Sequence, residues 1–233
     1  MASVASDEFE GQTYDKTAAR AARRERKRDQ SREEILQAAR RVLLRNGVGA
    51  MTLEAVANEV GMSKTGLYYY FPSKDALVFE LVYGVIEAQA KAVQGGVEQA
   101  ADGGQALRAI LGETVGAFAQ HLDDFRLAFL FGQVAGAGAL TWDRDQFARI
   151  RPLNDVLLSR ATEMLRAEQA ERPSRAAVEP RLMAFLAYLA AIGLLTMKGM
   201  VEPMQDPLLY SDEELVDGFS RVFEAAAAAD SSR

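Results

Sequence analysis

Between Thr52 and Lys74 the chain reads TLEAVANEVGMSKTGLYYYFPSK, and no other stretch narrows the fold as much. Leu53, Val56, Ala57 and Val60 recur at helical spacing, so the first half carries one apolar face. Thr52 is placed to cap that helix and Glu54 suits the positive end of its dipole. Gly61 stands where a left-handed residue would end it. A second short helix is expected from Ser63, another cap, to Phe71, with Pro72 stopping it. Two short helices about a glycine-containing turn make a helix-turn-helix, a motif whose second helix enters the DNA major groove.

The order of side chains on the second helix carries more than its shape. Leu67 and Phe71 are four apart and can face a core. Ser63, Lys64, Thr65, Tyr68 and Tyr69 fall largely on the other sides and supply hydroxyls, a cation and amphipathic rings for phosphates and base edges. Gly66 would let the backbone approach closely. Tyrosines at helical spacing are also common core residues. All three cannot be core here, because consecutive residues diverge by about 100°.

Val56, Ala57, Gly61, Ser63, Leu67, Tyr68, Phe71, Lys74 and Leu77 together resemble the DNA-binding domain of the TetR family of bacterial transcriptional regulators. The resemblance covers roughly residues 31–80 and leaves most of the chain to be read by length and pattern. It implies that Lys74 contacts backbone phosphate. It also implies that the helical body binds a small molecule and that the last two long helices pair in a homodimer. The candidate DNA-binding residues are thus Thr52, Ser63, Lys64, Thr65, Gly66, Tyr68, Tyr69 and Lys74.

A net charge of −6 looks wrong for a DNA binder until it is divided along the chain. Residues 16–75 hold 13 Lys and Arg against 7 Asp and Glu, whereas residues 76–233 hold 14 against 22. A basic module on an acidic body is the asymmetry expected of a chain that meets phosphate at one end. Residues 1–15 read as polar, acidic and disordered. Residues 16–28, KTAARAARRERKR, read either as an arm along phosphates or into a narrow minor groove, or as a solvated helical extension.

The expected organisation is all-α: a flexible basic arm over 1–28, a three-helix helix-turn-helix domain over 29–76, and a larger helical ligand-binding and dimerisation domain over 77–229. Ser31 and Glu34 fit a capping box opening the first helix, which Asn46-Gly47 would end. Pro72 and Ser73 open a helix that would link the two domains mechanically. Gly95-Gly96 and Asp102-Gly103-Gly104 punctuate the chain beyond the start of that helix. Helices are expected over 105–121 and 123–137, and Pro152 would interrupt the stretch 142–170. Phe118, Phe125, Phe129, Phe131, Trp142 and Phe147, beside glycines at 132, 136 and 138, could line a pocket for a small apolar ligand or form ordinary core. Of these, Phe118, Phe125, Phe129, Trp142 and Phe147 are the candidate ligand contacts. The run LMAFLAYLAAIGLLTM reads as a buried helix, and Ser211 with Glu214 announces the last one.

Other classes find little support. The absence of Cys fits a reducing cytoplasm and excludes disulfides and thiolate metal sites. The start lacks an apolar run, so no signal peptide is expected. The longest uncharged apolar run, 182–197, falls short of the roughly 20 residues that span a bilayer, so no membrane is expected. The one histidine, His121, precedes Asp123 and Asp124, but no second His completes a site. No Gly-rich phosphate loop or nucleophile elbow is present, so neither enzyme, cofactor nor metal is expected. The best reading is a dimeric, ligand-responsive repressor on a pseudo-palindromic double-stranded operator. The alternatives are a nonspecific architectural DNA-binding protein without a ligand, and a ligand- or protein-interaction module with a vestigial DNA-binding end.

Overall fold

The computed structural model describes residues 4–130, 142–171, 178–204 and 210–228. Every regular element among them is helical. The chain divides into two compact units, Met1–Leu81 and Val82–Arg233.

In the first unit, α1 runs Val4–Ala50 and is broken only at Gly47, whose φ of 72° ends the regular helix where Asn46-Gly47 was expected to end it. Its start differs from expectation. Helix already runs through residues 4–30, so Ser31 is interior and caps nothing. The reason is composition: Ala, Arg, Lys and Glu dominate residues 17–28, and all are strong helix formers. Glu34 instead accepts from Gln30 Nε2 one turn back, at 3.0 Å. Ile35, Ala38, Ala39, Val42 and Leu43 form the buried stripe of α1, which packs on α2, Leu53–Val60. α2 in turn packs on α3, Lys64–Tyr70. Arg41 and Arg45 both reach Glu59 of α2, at 3.0 and 2.6 Å, and hold its carboxyl below the usual range. Arg32 lies 4.5 Å from the Phe71 ring centre and 3.3 Å from Glu80. Three of the arginines on the polar side of α1 therefore brace the domain.

α4, Lys74–Glu98, passes from one unit to the other. Ser73 caps it, accepting from Ala76 N at 3.0 Å, so Pro72 stands before the cap and not in the first turn. Gly95-Gly96 does not break it. A Cβ at Gly96 would lie 2.7 Å from Glu113 Cγ, so glycine there serves close approach to the next helix.

The second unit is built around α5, Gly103–Phe118. Gly103, Ala106, Leu107, Ile110, Leu111, Thr114, Val115 and Phe118 make a buried stripe along its whole length. α5 contacts α7, Arg144–Glu171, α8, Pro180–Val201, and α9, Asp212–Ala228. Ala90, Val93 and Val97 of α4 join the same core. Between α4 and α5 the buried Gln89 donates to Thr114 Oγ1 at 3.1 Å. α6 is one turn, Leu122–Phe125, continued by a π-helical turn to Leu130. The rest of the helix expected over 123–137 lies outside the described residues, as do Phe131 and glycines 132, 136 and 138.

Pro152 does not interrupt α7. Its ring removes one backbone hydrogen bond, but Pro152 and Ala148 are both exposed, so water can satisfy the Ala148 carbonyl. α9 opens on the expected capping box: Ser211 Oγ accepts from Glu214 N at 3.2 Å and Glu214 Oε2 accepts from Ser211 N at 2.7 Å. α8 is capped by Glu179, which accepts from Leu182 N at 2.7 Å. The expectation of a fully buried α8 is corrected. With its terminal 3-10 turn it spans Pro180–Met204, long and apolar enough to cross a membrane by length and composition, yet only 28% of its most apolar window is buried. The cause is one-sided packing. Met183, Ala184, Ala187, Ala191, Leu194 and Leu195 face the core, while Leu182, Phe185, Leu186, Leu189, Met197 and Met200 stay exposed.

Candidate nucleic-acid interface

The turn between α2 and α3 is set by three local devices. Thr52 Oγ1 accepts from Ala55 N at 3.0 Å. Gly61 takes the left-handed conformation, φ 73°, and its N–H reaches back to the end of α2. Ser63 Oγ accepts from Gly66 N at 3.1 Å and starts α3. Leu67 and Phe71 then anchor the helix, both essentially inaccessible.

That anchoring decides what α3 offers to solvent. Ser63, Lys64, Thr65, Tyr68 and Tyr69 are exposed, Tyr69 at 71%. Tyr70 is half-buried; its ring meets Tyr69 edge-on at 5.2 Å and its carbonyl accepts from Arg32 Nη1 at 3.4 Å. The three tyrosines therefore split into two surface residues and one support. Lys64 lies 3.5 Å from Glu54, an exposed pair that a phosphate can displace at little cost. Gly66 faces the side chains of Met62 and Ser63, not another backbone segment. Lys74 begins α4 and is half-buried. Thr52 is exposed beside α2. The arrangement can donate several hydroxyl hydrogen bonds and one ammonium from one short helix held rigidly from behind.

Residues 35–81 match the model of the bacterial regulatory proteins of the tetR family. Over that segment the chain belongs to the TetR family. No curated protein matches it. Solved structures share its fold at low identity. A TetR/AcrR-family regulator from Thermobifida fusca is 20% identical, covering 83% of this chain and 96% of that one, with a TM-score of 0.63. FadR from Bacillus subtilis, solved with stearoyl-CoA, is 13% identical over 83% and 98%, TM-score 0.64. AibR, solved with isovaleryl coenzyme A and operator DNA, is 19% identical over 82% and 96%, TM-score 0.60. The matched segment holds the helix-turn-helix, the DNA-binding motif of that family, and α3 is its second helix.

In the second unit the candidate ligand residues fall into two separate groups. Phe118, Phe125 and Phe129 pack on one another with ring centres 5.3–5.9 Å apart. They fill space with Leu122 and Leu195 instead of lining it. Trp142 and Phe147 form a separate pair at 6.0 Å, and Phe147 is largely exposed. A cavity of about 530 Å³ lies instead between α7 and α8, lined by Asn154, Leu157, Leu158, Arg181, Phe185 and Tyr188 among others. The phenylalanine cluster approaches it only through Phe129, 6.5 Å from Tyr188. Burial pushes the Tyr188 hydroxyl well above its ordinary value, and a phenol, neutral at neutral pH in either case, can donate there. Sequence reasoning did not single out these lining residues: Phe185 and Tyr188 sit in a run that reads as plain core, and Asn154, Leu157 and Leu158 lie on a different helix. The one signal was a phenol, Tyr188, amid aliphatic neighbours.

Proposed function

We propose that this regulator binds a pseudo-palindromic operator as a homodimer, represses transcription there in the cytoplasm, and is released by a small apolar ligand carrying a polar end. The observation that carries the proposal is the α3 face, where Ser63, Lys64, Thr65, Tyr68 and Tyr69 stand exposed over a buried Leu67 and Phe71. Two copies would place their recognition helices in successive major grooves, about 34–36 Å apart. Thr52, Gly66 and Lys74 serve this reading as cap, close-packed helix position and phosphate contact.

Dimerisation is supported by a seam on each of the last two long helices. On α8, Leu182, Leu186, Leu189, Gly193, Thr196 and Met200 recur at alternating spacings of four and three. On α9, Leu215, Phe219, Val222 and Ala226 do the same. Such spacing suits side-by-side helix pairing, and it explains an apolar, outward α8 without a membrane. Ligand control is supported by the cavity, whose volume fits a small molecule and whose Arg181, Asn154 and Tyr188 supply polar contacts to an otherwise apolar wall. FadR and AibR were solved with acyl-CoA esters; the acyl part alone matches a small apolar ligand with a polar end, so short acyl compounds are the class to screen first. The ligand can act only through different affinities for the DNA-bound and free conformations.

The test is selection of binding sites by the purified protein from random duplex DNA at near-physiological salt. Recovery of two spaced, inverted half-sites supports the proposal. Binding without a motif, abolished by modest salt, is the architectural outcome and overturns it. Thr65→Ala is then expected to weaken binding to the selected duplex, and Lys74→Ala to weaken binding to all duplexes alike.

A further inference from the structure

α1 extends well beyond what its domain core uses. From residue 18 onward the first buried side chain of the helix is Ile35, and residues 18–30 are all exposed helix, about 20 Å of it. Along this extension Arg20, Arg23, Arg24, Lys27 and Arg28 recur at i, i+3, i+4, i+7 and i+8, which places them on one face. Glu25 and Asp29 fall on the far side, more than about 100° from the middle of that stripe. Arg26 shares that far side, which therefore mixes the two signs as a solvated face does, whereas the stripe itself holds cations alone. The stripe also has a fixed relation to the recognition helix. The Arg28 guanidinium lies 5.9 Å from the centre of the Tyr69 ring, so the stripe ends beside the exposed face of α3.

We propose that the N-terminal extension of α1 is a second DNA-contact element, a preformed helix that lays its basic stripe along the phosphates flanking the half-site read by α3. The inference rests on the operator-binding reading and adds to it the partner of the extension. Arg20 and Arg28 are separated by about 12 Å along the axis, the rise of roughly three to four base pairs. A helix already formed orders fewer groups on binding than a flexible arm does. Duplex DNA fits better than an anionic membrane, because residues 18–30 hold no Leu, Ile, Phe or Trp to enter the bilayer interface.

The test compares the full chain with R20Q/R23Q/R24Q/K27Q, in which Gln preserves helix propensity and Arg28 is left in place. Binding is measured across a salt series on the duplex recovered by selection, once with about ten flanking base pairs on each side and once trimmed at the outer edges of the half-sites. On the flanked duplex the variant is expected to bind at least tenfold more weakly at about 0.1 M salt, with the slope of log K against log salt reduced by about 3 to 4 per protomer. On the trimmed duplex the two proteins are expected to converge. Equal slopes on the flanked duplex overturn the proposal. So does an equal loss on both duplexes, which would mean that the extension acts through the domain and not through flanking phosphate. Unchanged DNA binding with lost binding to phosphatidylglycerol vesicles assigns the stripe to a membrane and overturns it too. A wild type that does not prefer the selected duplex over a scrambled one sinks the underlying reading; a preference retained without a slope change sinks the extension alone.

Discussion

α3 and α8 both leave large side chains in water, and they do so differently. On α3 the exposed groups are Tyr68 and Tyr69, each with a hydroxyl, among Ser63, Lys64 and Thr65. On α8 they are Leu182, Phe185, Leu186, Leu189, Met197 and Met200, with no polar group among them. An amphipathic ring loses little by standing in water and suits a wet, charged partner. A continuous apolar stripe is costly to hydrate and suits a surface like itself. On the proposed reading the first surface exchanges water for a hydrated, charged partner, and the second is covered by a second copy of the chain.

The contrast can be broken most decisively at α8. Leu186→Glu with Leu189→Glu is expected to leave a folded monomer by sedimentation and to weaken binding to a two-half-site duplex at least about 100-fold, since each half-site would then be held alone. A variant that stays dimeric would remove the seam from α8. Next in size is the pair Leu67→Ala and Tyr69→Ala. The first should cost about 2–5 kcal/mol of stability by opening the core beneath α3. The second should leave stability within about 0.5 kcal/mol but cost about 1–3 kcal/mol of operator binding. If Tyr69→Ala melts early, or binds DNA as well as wild type, the two sides of α3 do not have separate roles.

Smaller effects sharpen how each region is packed. A Cβ at Gly103 would stand 2.6 Å from Leu165 Cδ2, and the Gly103 N–H donates to Glu168 at 2.6 Å. Gly103→Ala is therefore expected to destabilise the body by about 1–3 kcal/mol in a denaturant titration. Gly66→Ala meets only the flexible Met62 side chain and Ser63 Oγ, so its cost should be visibly less. Smallest is the acid limb. The two arginines lower the Glu59 carboxyl in the first unit, and the Ser211 N–H and hydroxyl lower the Glu214 carboxyl in the second. A folded-state value below the unfolded one means stability present above the ordinary carboxylate range and lost as pH falls through the folded value. Glu59→Gln and Glu214→Gln should each flatten that acid loss in thermal melts. A loss that instead steepened would mean that these carboxylates are not stabilised by folding.

The two units also differ in how far they can be read without coordinates. In the first, Thr52, Gly61, Ser63 and Ser73 act on backbone groups within three or four residues of themselves, so sequence spacing suffices to place them. The same holds for Ser211 and Glu214. Ser31 shows the limit, because a cap signal is overridden when the preceding residues are themselves strong helix formers. Gly95-Gly96 and Pro152 show it again. One glycine serves a neighbouring helix, and the proline's lost hydrogen bond falls on the solvent side.

The sequence by itself determined the all-α class, the caps at Thr52, Gly61, Ser63, Ser73 and Ser211, and the exposed order of Ser63, Lys64, Thr65, Tyr68 and Tyr69, because each depends on helical period and on partners a turn away. Only the tertiary structure decided that Arg32, Arg41 and Arg45 brace the first unit, that Phe118, Phe125 and Phe129 fill the body, and that the cavity opens beside Tyr188. It also decided which side of α8 is left uncovered. An apolar helix looks the same in sequence from every side. Which face is core depends on where α5 and α7 lie against it, and that is settled by contacts between residues far apart in the chain.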